Sequence, residues 1–326
     1  MLRLQTLFLI TCLLIVAFQP VSGQYEKEAG KLLFENILSP APAGPGKVAY
    51  LRADPKNPEA PIELYLGDIK TLTETRVLPG VGFGKTAGSV FAWSPNGREF
   101  VIPQLSNGSW ELFRYKSGSR TGEQISKLIQ YRESQSEEML EMENLTEDQL
   151  LTIGQLAYSP SGKRILFLMD RPGKPALWWI DPQTGNTRQA TEDQIGYHGC
   201  FAPDDDHISY TITRRIDPNK LSASEDIILR SLKTGEIDTL TNSPAMEFNG
   251  VISPDGKYLA YVVTTANINN LWVMNLATKQ SRQFTFATAG KNCATPNWTP
   301  DGKQIIFFGV GFAAQQSVFV KDFLPF

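Results

Sequence analysis

The sequence is poor in the residues that most catalytic and metal centres draw on. It has two histidines, His198 and His207, and three cysteines in 326 residues. It lacks a Gly-x-Ser-x-Gly elbow, so nothing in it reads as an α/β-hydrolase nucleophile. It also lacks an excess of positive charge: 31 basic side chains stand against 34 acidic ones, which excludes the electrostatic footprint of a nucleic-acid binder. One apolar run stands out, from Leu4 to Phe18, behind Arg3 and ahead of Val21-Ser22-Gly23. At about 15 residues it is shorter than the roughly 20 that span a hydrocarbon core. With small residues at its end it reads as a signal peptide over 1–23. The mature chain, 24–326, is then expected to be periplasmic or secreted, with no transmembrane segment after cleavage. Two cysteines remain in it, Cys200 and Cys293, too few for a disulfide framework. One bridge and two separate thiols are both compatible with that count.

What the sequence has in quantity is repetition. Phe91-Ala92-Trp93-Ser94-Pro95-Asn96-Gly97 recurs as Leu156-Ala157-Tyr158-Ser159-Pro160-Ser161-Gly162, as Val251-Ile252-Ser253-Pro254-Asp255-Gly256 and as Asn297-Trp298-Thr299-Pro300-Asp301-Gly302. A degenerate copy runs from Cys200 to Asp205, and a stretched one begins at Ile37-Leu38-Ser39-Pro40. These six anchors are turns in which Pro presets φ and Asp or Asn and Gly take the remaining geometry. A strand-like run follows each, then an aromatic-rich run such as Leu271-Trp272-Val273, then a Gly-containing turn and a short run ending in Leu-Thr or similar, as at Leu240-Thr241 and Phe284-Thr285. Four antiparallel strands per unit make one propeller blade. The expected fold is all-β, a single six-bladed β-propeller over 24–326. The residue two before each proline (Leu38, Trp93, Tyr158, Phe201, Ile252 and Trp298) is expected to pack between blades.

The Ser-Pro-Asp-Gly anchor with its Leu-Thr ending resembles the TolB-type propeller repeat, also found in the non-catalytic propellers of prolyl-oligopeptidase and dipeptidyl-peptidase proteins. The resemblance covers nearly all of 33–323 and implies the fold; TolB itself is a periplasmic partner-binding protein. The chain ends after what reads as the third strand of blade 6, so a segment around 24–33 is expected to supply that blade's outer strand. Residues 119–145 are surplus to the repeat. From Glu133 to Asp148 the chain carries seven acidic residues and no basic one, and Ser134 with Glu137 has capping-box spacing.

Strand order sorts the loops. Connections between blades share a face with each blade's loop between strands two and three. The first set carries Thr146-Glu147-Asp148-Gln149, Thr191-Glu192-Asp193-Gln194 and Glu247, an acidic arc; the second carries Arg52, Lys56, Arg171, Lys174, Arg214, Arg215 and Lys220, a basic one. The Arg214-Arg215 pair suits carboxylate or sulfate groups. Asn267, Asn269 and Asn270 offer amide donors and acceptors to a glycan or a peptide backbone. Arg171, Arg214, Arg215 and these three asparagines are therefore the candidate ligand residues of a non-enzymatic module that binds a protein, peptide or glycan. The alternative is a metal-assisted lyase or lactonase for a small acidic sugar, holding a divalent cation such as calcium on His198, Glu247 and Asn249 at the channel mouth.

Overall fold

A computed structural model describes residues 29–52, 57, 62–78, 91–106, 109–128, 130, 152–171, 174–192, 196–215, 223–312 and 316–326. The signal segment, the inter-blade loop Thr146–Gln149 and the acidic insertion beyond residue 130 lie outside the described residues, as do Lys56, Asp193, Gln194 and Lys220. Among the described residues no helix is long and apolar enough to cross a membrane.

The strands form antiparallel meanders. β1 (Lys31–Glu35) stands apart from the first blade, β2 (Leu38–Pro42), β3 (Lys47–Arg52), β4 (Glu63–Asp68) and β5 (Glu74–Leu78). Blade 2 is β6 (Ala92–Trp93), β7 (Glu99–Ser106), β8 (Ser109–Lys116) and β9 (Gly122–Gln124). Blade 3 is β10 (Thr152–Tyr158), β11 (Ile165–Arg171), β12 (Lys174–Ile180) and β13 (Thr187–Gln189). Blade 4 is β14 (Tyr197–Phe201), β15 (His207–Arg215), β16 (Ala223–Ser231) and β17 (Ile237–Thr239). Blade 5 is β18 (Met246–Ile252), β19 (Tyr258–Thr265), β20 (Ile268–Asn275) and β21 (Ser281–Gln283). Blade 6 is β22 (Asn292–Trp298), β23 (Gln304–Val310), β24 (Gln316–Asp322) and, as its outer strand, β1. Blades 4 and 5 touch through one parallel bridge, Glu225 to Met246, which joins them into a continuous sheet without merging the meanders. β1 pairs antiparallel with β24, so the ring closes on an N-terminal strand, as the sequence suggests, a few residues later than expected.

Six buried apolar clusters give the same blade count, because each straddles one blade boundary. Trp93 packs with Ala49, Leu51 and Leu64 of blade 1, Phe201 with Leu166 and Leu177 of blade 3, and Ile252 with Ala202, Ile227 and Leu240 of blade 4. Trp298 packs with Tyr258 and Val273 of blade 5, and half-buried Tyr158 leans on the cluster shared with blade 2. The anchor turns hold these residues in place. In each of four copies the Ser or Thr hydroxyl accepts the amide five residues on: Glu99 to Ser94 at 3.0 Å, Arg164 to Ser159 at 3.2 Å, Tyr258 to Ser253 at 2.9 Å and Gln304 to Thr299 at 3.0 Å. The turn glycines sit at positive φ, 72° at Gly97 and 68° at Gly302, where a side chain would be strained.

Blade 1 departs from the expected phase. Its turn is Gly44-Pro45-Gly46, closed by the Ala43 amide donating to the Lys47 carbonyl, so Ala43 stands where Ser94 stands in blade 2. Pro40 lies inside β2 and is no anchor, and Leu38 packs towards blade 2 in place of the blade 6 boundary. That boundary is filled by fully buried Ile37 with Phe34, Val48 and Tyr50.

A candidate binding site in the central channel

The innermost strands β2, β10, β14, β18 and β22 share an irregularity: each slips register against its neighbour over the same short stretch. The residue at the slip has left-handed backbone in every case: Ser39 (φ 47°), Gln155 (52°), His198 (53°), Asn249 (56°) and Thr295 (47°). Each is a β-bulge, which bends the strand and re-aims a side chain. Each stands three residues before the position that Tyr158, Phe201, Ile252 and Trp298 occupy, so among the described residues the repeat places a bulge in five of the blades at one level of the channel. The equivalent position in blade 2 lies outside the described residues.

Hydrogen bonds tie the bulged strands to the neighbouring blade. The His198 amide donates to the Gln155 side-chain oxygen, the Ser209 hydroxyl to the Gly250 carbonyl at 2.8 Å, and the Trp298 indole to the Val251 carbonyl at 3.0 Å. They also present polar side chains inward. Gln155, His198, Asn249 and Thr295 line a narrow segment of about 150 Å³. Below it, two residues past each bulge, small side chains form a second ring: Ala41, Ala92, Ala157, Cys200, Val251 and Asn297. The channel opens there to about 370 Å³ and ends among the anchor prolines. Cys200 and Cys293 belong to different blades and are not joined to each other; burial pushes the Cys200 thiol up to about 11.

His198 is the least conventional member of the polar ring. Its ring sits 4.8 Å from Tyr197, edge to face, and 6.0 Å from Phe248, and its Nδ1 has no hydrogen-bond partner. Burial lowers its pKa to about 4, so the imidazole is neutral at pH 7. The Thr295 hydroxyl is likewise buried without a partner. Beside them the Tyr197 hydroxyl donates to Glu225, a carboxyl that burial holds above its usual range.

The residues singled out in the sequence fall into different surroundings. His198 and Asn249 come together in the channel; Glu247 does not join them but turns into the crevice between blades 4 and 5 with Thr241 and Ser243. Among the described residues no three His, Cys, Asp or Glu side chains converge on one point. Among the described residues, the side chains lining this level of the channel are one imidazole, two amides and a hydroxyl, without a carboxylate, a set that does not match the charged oxygen ligands calcium takes. Arg214 pairs with buried Asp226 at 2.8 Å and donates to Asn242 at 2.6 Å and the Ser243 carbonyl at 3.3 Å, bracing the loop into blade 5. Arg171 and Arg215 end β11 and β15, and their side chains lie outside the described residues. Asn267 occupies, with Ala266, the tight β19–β20 hairpin, both at positive φ as a type I′ turn requires. Asn269 accepts the Thr264 hydroxyl at 2.8 Å, and its amide donates to Asn292 at 2.8 Å. Asn270 is buried and offers nothing to solvent: its oxygen accepts the Ala287 amide at 2.7 Å and the Thr285 hydroxyl at 3.1 Å. Both charged arcs are partly consumed by internal pairs, Glu192 with Arg230 at 2.7 Å and Arg52 with Glu74 at 2.6 Å.

Comparison with known proteins agrees with this architecture. Residues 203–302 match the family model described as the dipeptidyl peptidase IV (DPP IV) N-terminal region. YidR, an uncharacterized protein of Escherichia coli (strain K12), is 32% identical over 111 residues, which are 32% of this chain and 24% of YidR. TolB from Acinetobacter baumannii superposes with a TM-score of 0.60 at 17% identity, over 85% of this chain and 65% of TolB. An oligogalacturonate lyase in complex with manganese superposes with a TM-score of 0.54 at 17% identity, over 86% of this chain and 74% of the lyase. The matched region thus spans a quarter of YidR and under two thirds of TolB, and at these identities the structures share the fold.

Proposed function

We propose, for a chain that is a TolB-like β-propeller in fold, that it is an exported, non-enzymatic binding module, which takes a segment of a protein, peptide or glycan partner over its loop-rich face and into the top of the channel. The observation that carries this reading is the polar ring: His198 Nδ1 and Thr295 Oγ1 are buried without partners at the wall of an open channel. A buried polar atom left unpaired costs about 1–3 kcal/mol, a cost that a ligand hydrogen-bonding there removes. The ring is also rigid, since inter-blade hydrogen bonds fix its bulges, and a preorganised site loses less entropy on binding. Export rests on the leader-like segment, and the choice of partner class on the hydrogen-bonding character of the ring.

The test is capture of the partner from the extracytoplasmic fraction by cross-linking, with wild-type protein and a His198→Ala, Thr295→Ala double variant as baits. On this reading a specific protein or glycan is recovered with the wild type and lost with the variant, while both baits melt cooperatively. Equal recovery by both would place the contact elsewhere. The lyase or lactonase alternative makes a different demand, a melting temperature that rises with added manganese or calcium and is insensitive to them once His198 is replaced.

A further inference from the structure

A second cavity, separate from the channel, lies between blades 4 and 5. It measures about 490 Å³ and is bounded by the β17–β18 connection and by β19, β20 and β21. One wall is apolar and aromatic, made by Tyr261, Trp272 and Met274. Glu247 lines the cavity yet is only 8% exposed. Thr241 and Ser243 hydrogen-bond its carboxyl, but Oε2 receives no hydrogen bond. Asp226, also buried, adds negative charge nearby and is partly balanced by Arg214. The remaining cation in the lining, Lys279, sits 3.8 Å from Asp238.

We propose that this crevice binds the ammonium group of an aliphatic amine, with Glu247 Oε2 accepting its hydrogen bond and the Trp272 and Tyr261 rings covering its alkyl portion. A buried carboxylate oxygen without a donor is a strong acceptor for a charge-assisted hydrogen bond. Aromatic rings beside it attract a cation and shelter methylene groups. One open oxygen suits a primary ammonium, which donates from a single point; a guanidinium fork seeks two oxygens at once. A quaternary ammonium has no proton to donate and leaves Oε2 unsatisfied. Burial and Asp226 hold the Glu247 carboxyl above its usual range, and an ammonium counter-charge favours its ionised form. The ammonium is supplied either by a free amine or by a lysine side chain of a partner.

The test is calorimetric titration of the protein at pH 8 with n-butylamine, with butyltrimethylammonium and with a lysine-containing tripeptide blocked at both termini. Saturable binding of butylamine is expected, weakened at least about tenfold by Glu247→Gln and by the trimethyl analogue. Trp272→Leu weakens binding while Glu247→Gln melts no lower than wild type, because it removes a buried charge and keeps its shape. Tighter binding of the tripeptide than of butylamine assigns the site to a protein lysine, and the reverse order to a free amine. Absence of saturable binding by any of the three, or equal affinity for wild type and Glu247→Gln, overturns the proposal. The channel is not involved, so a His198→Ala, Thr295→Ala protein binds butylamine as wild type does, and failure here leaves the channel reading untouched.

Discussion

His198 is held in an environment that favours its neutral form, and that preference has a thermodynamic signature. Its folded pKa, about 4, lies below the ordinary 6.5, so between those values the unfolded chain binds the proton more readily. The stability it contributes is fully present above about pH 6.5 and is lost as pH falls towards 4. Asp170, Glu225, Asp226 and Glu247 act in the opposite sense: burial raises their pKa values, and the stability they contribute is lost as pH rises through those values. Chemical denaturation of wild type and His198→Asn at pH 7.5 and pH 4.5 separates the two, since asparagine tolerates the left-handed backbone of this position. The variant is expected to lose about 1–3 kcal/mol less than wild type between the two pH values, the lower end reflecting water that reaches the ring through the channel. Thr295 is the second residue of interest, a β-branched side chain at φ 47°. Such a conformation costs of the order of 1 kcal/mol, which Asn largely avoids. Thr295→Asn is therefore expected to raise Tm by roughly 2 °C in a thermal melt, and an unchanged or lower Tm would show that the threonine is not strained there.

Within a blade, the Leu-Thr ending, or its equivalent, has a definite task in blades 2 to 5. The hydroxyls of Ser126, Thr191, Thr241 and Thr285 accept the amides of Leu112, Leu177, Ile227 and Leu271 at 2.8, 3.0, 2.9 and 2.9 Å. Each docks the end of an outer strand onto strand three where the chain leaves for the next blade. The residue before the docked amide adds an acceptor for the amide two residues past the hydroxyl: Glu111 for Leu128, Asp226 for Ser243, Asn270 for Ala287. Thr285→Val and Thr241→Val keep the shape and strand a buried amide, and each is expected to cost about 1–3 kcal/mol in urea unfolding without altering the folded dichroism spectrum. This device explains what the sequence hid about Asn270. Its neighbours Asn267 and Asn269 read as one polar loop, but strand alternation buries Asn270 and turns it to the cap. Much else at this scale is legible, because the Ser-Pro-Asp-Gly anchor is closed by bonds within six residues. The bulge ring is not, because Ser, Gln, His, Asn and Thr are five different polar residues and make no common motif. Its signal is a constant spacing of three residues to the interface position, which shows only once the strands are aligned. Blade 1 misleads for a related reason: Pro40 imitates an anchor by following Ser39, yet it occupies the place after the bulge that Pro296 occupies in blade 6.

For the whole molecule, closure is the decisive contact. β1 completes blade 6 and adds Leu33 and Phe34 to the cluster shared with blade 1. Deleting residues 1–36 removes those buried side chains, each contributing about 1.5–3 kcal/mol, and bares the edge of β24. The truncated protein is expected to lose cooperative unfolding and to aggregate on size-exclusion chromatography; a monomer with unchanged Tm would mean that the ring does not depend on β1. The repeat count anticipates six blades, and the six boundary clusters agree. What the sequence could not supply is which charges remain available for a partner, since Arg52, Glu192, Arg214 and Arg230 are drawn into pairs across neighbouring strands and blades. The account's central claim, that a partner is held at the loop-rich end of the channel, is tested most directly by placing a photo-cross-linking residue at Met246, exposed at the start of β18, and separately at Asp255 in an anchor turn on the opposite face. The account predicts a discrete adduct from Met246, lost when His198→Trp plugs the ring, and none from Asp255. Adducts of equal yield from both positions, or a Met246 adduct that survives the plug, would contradict it.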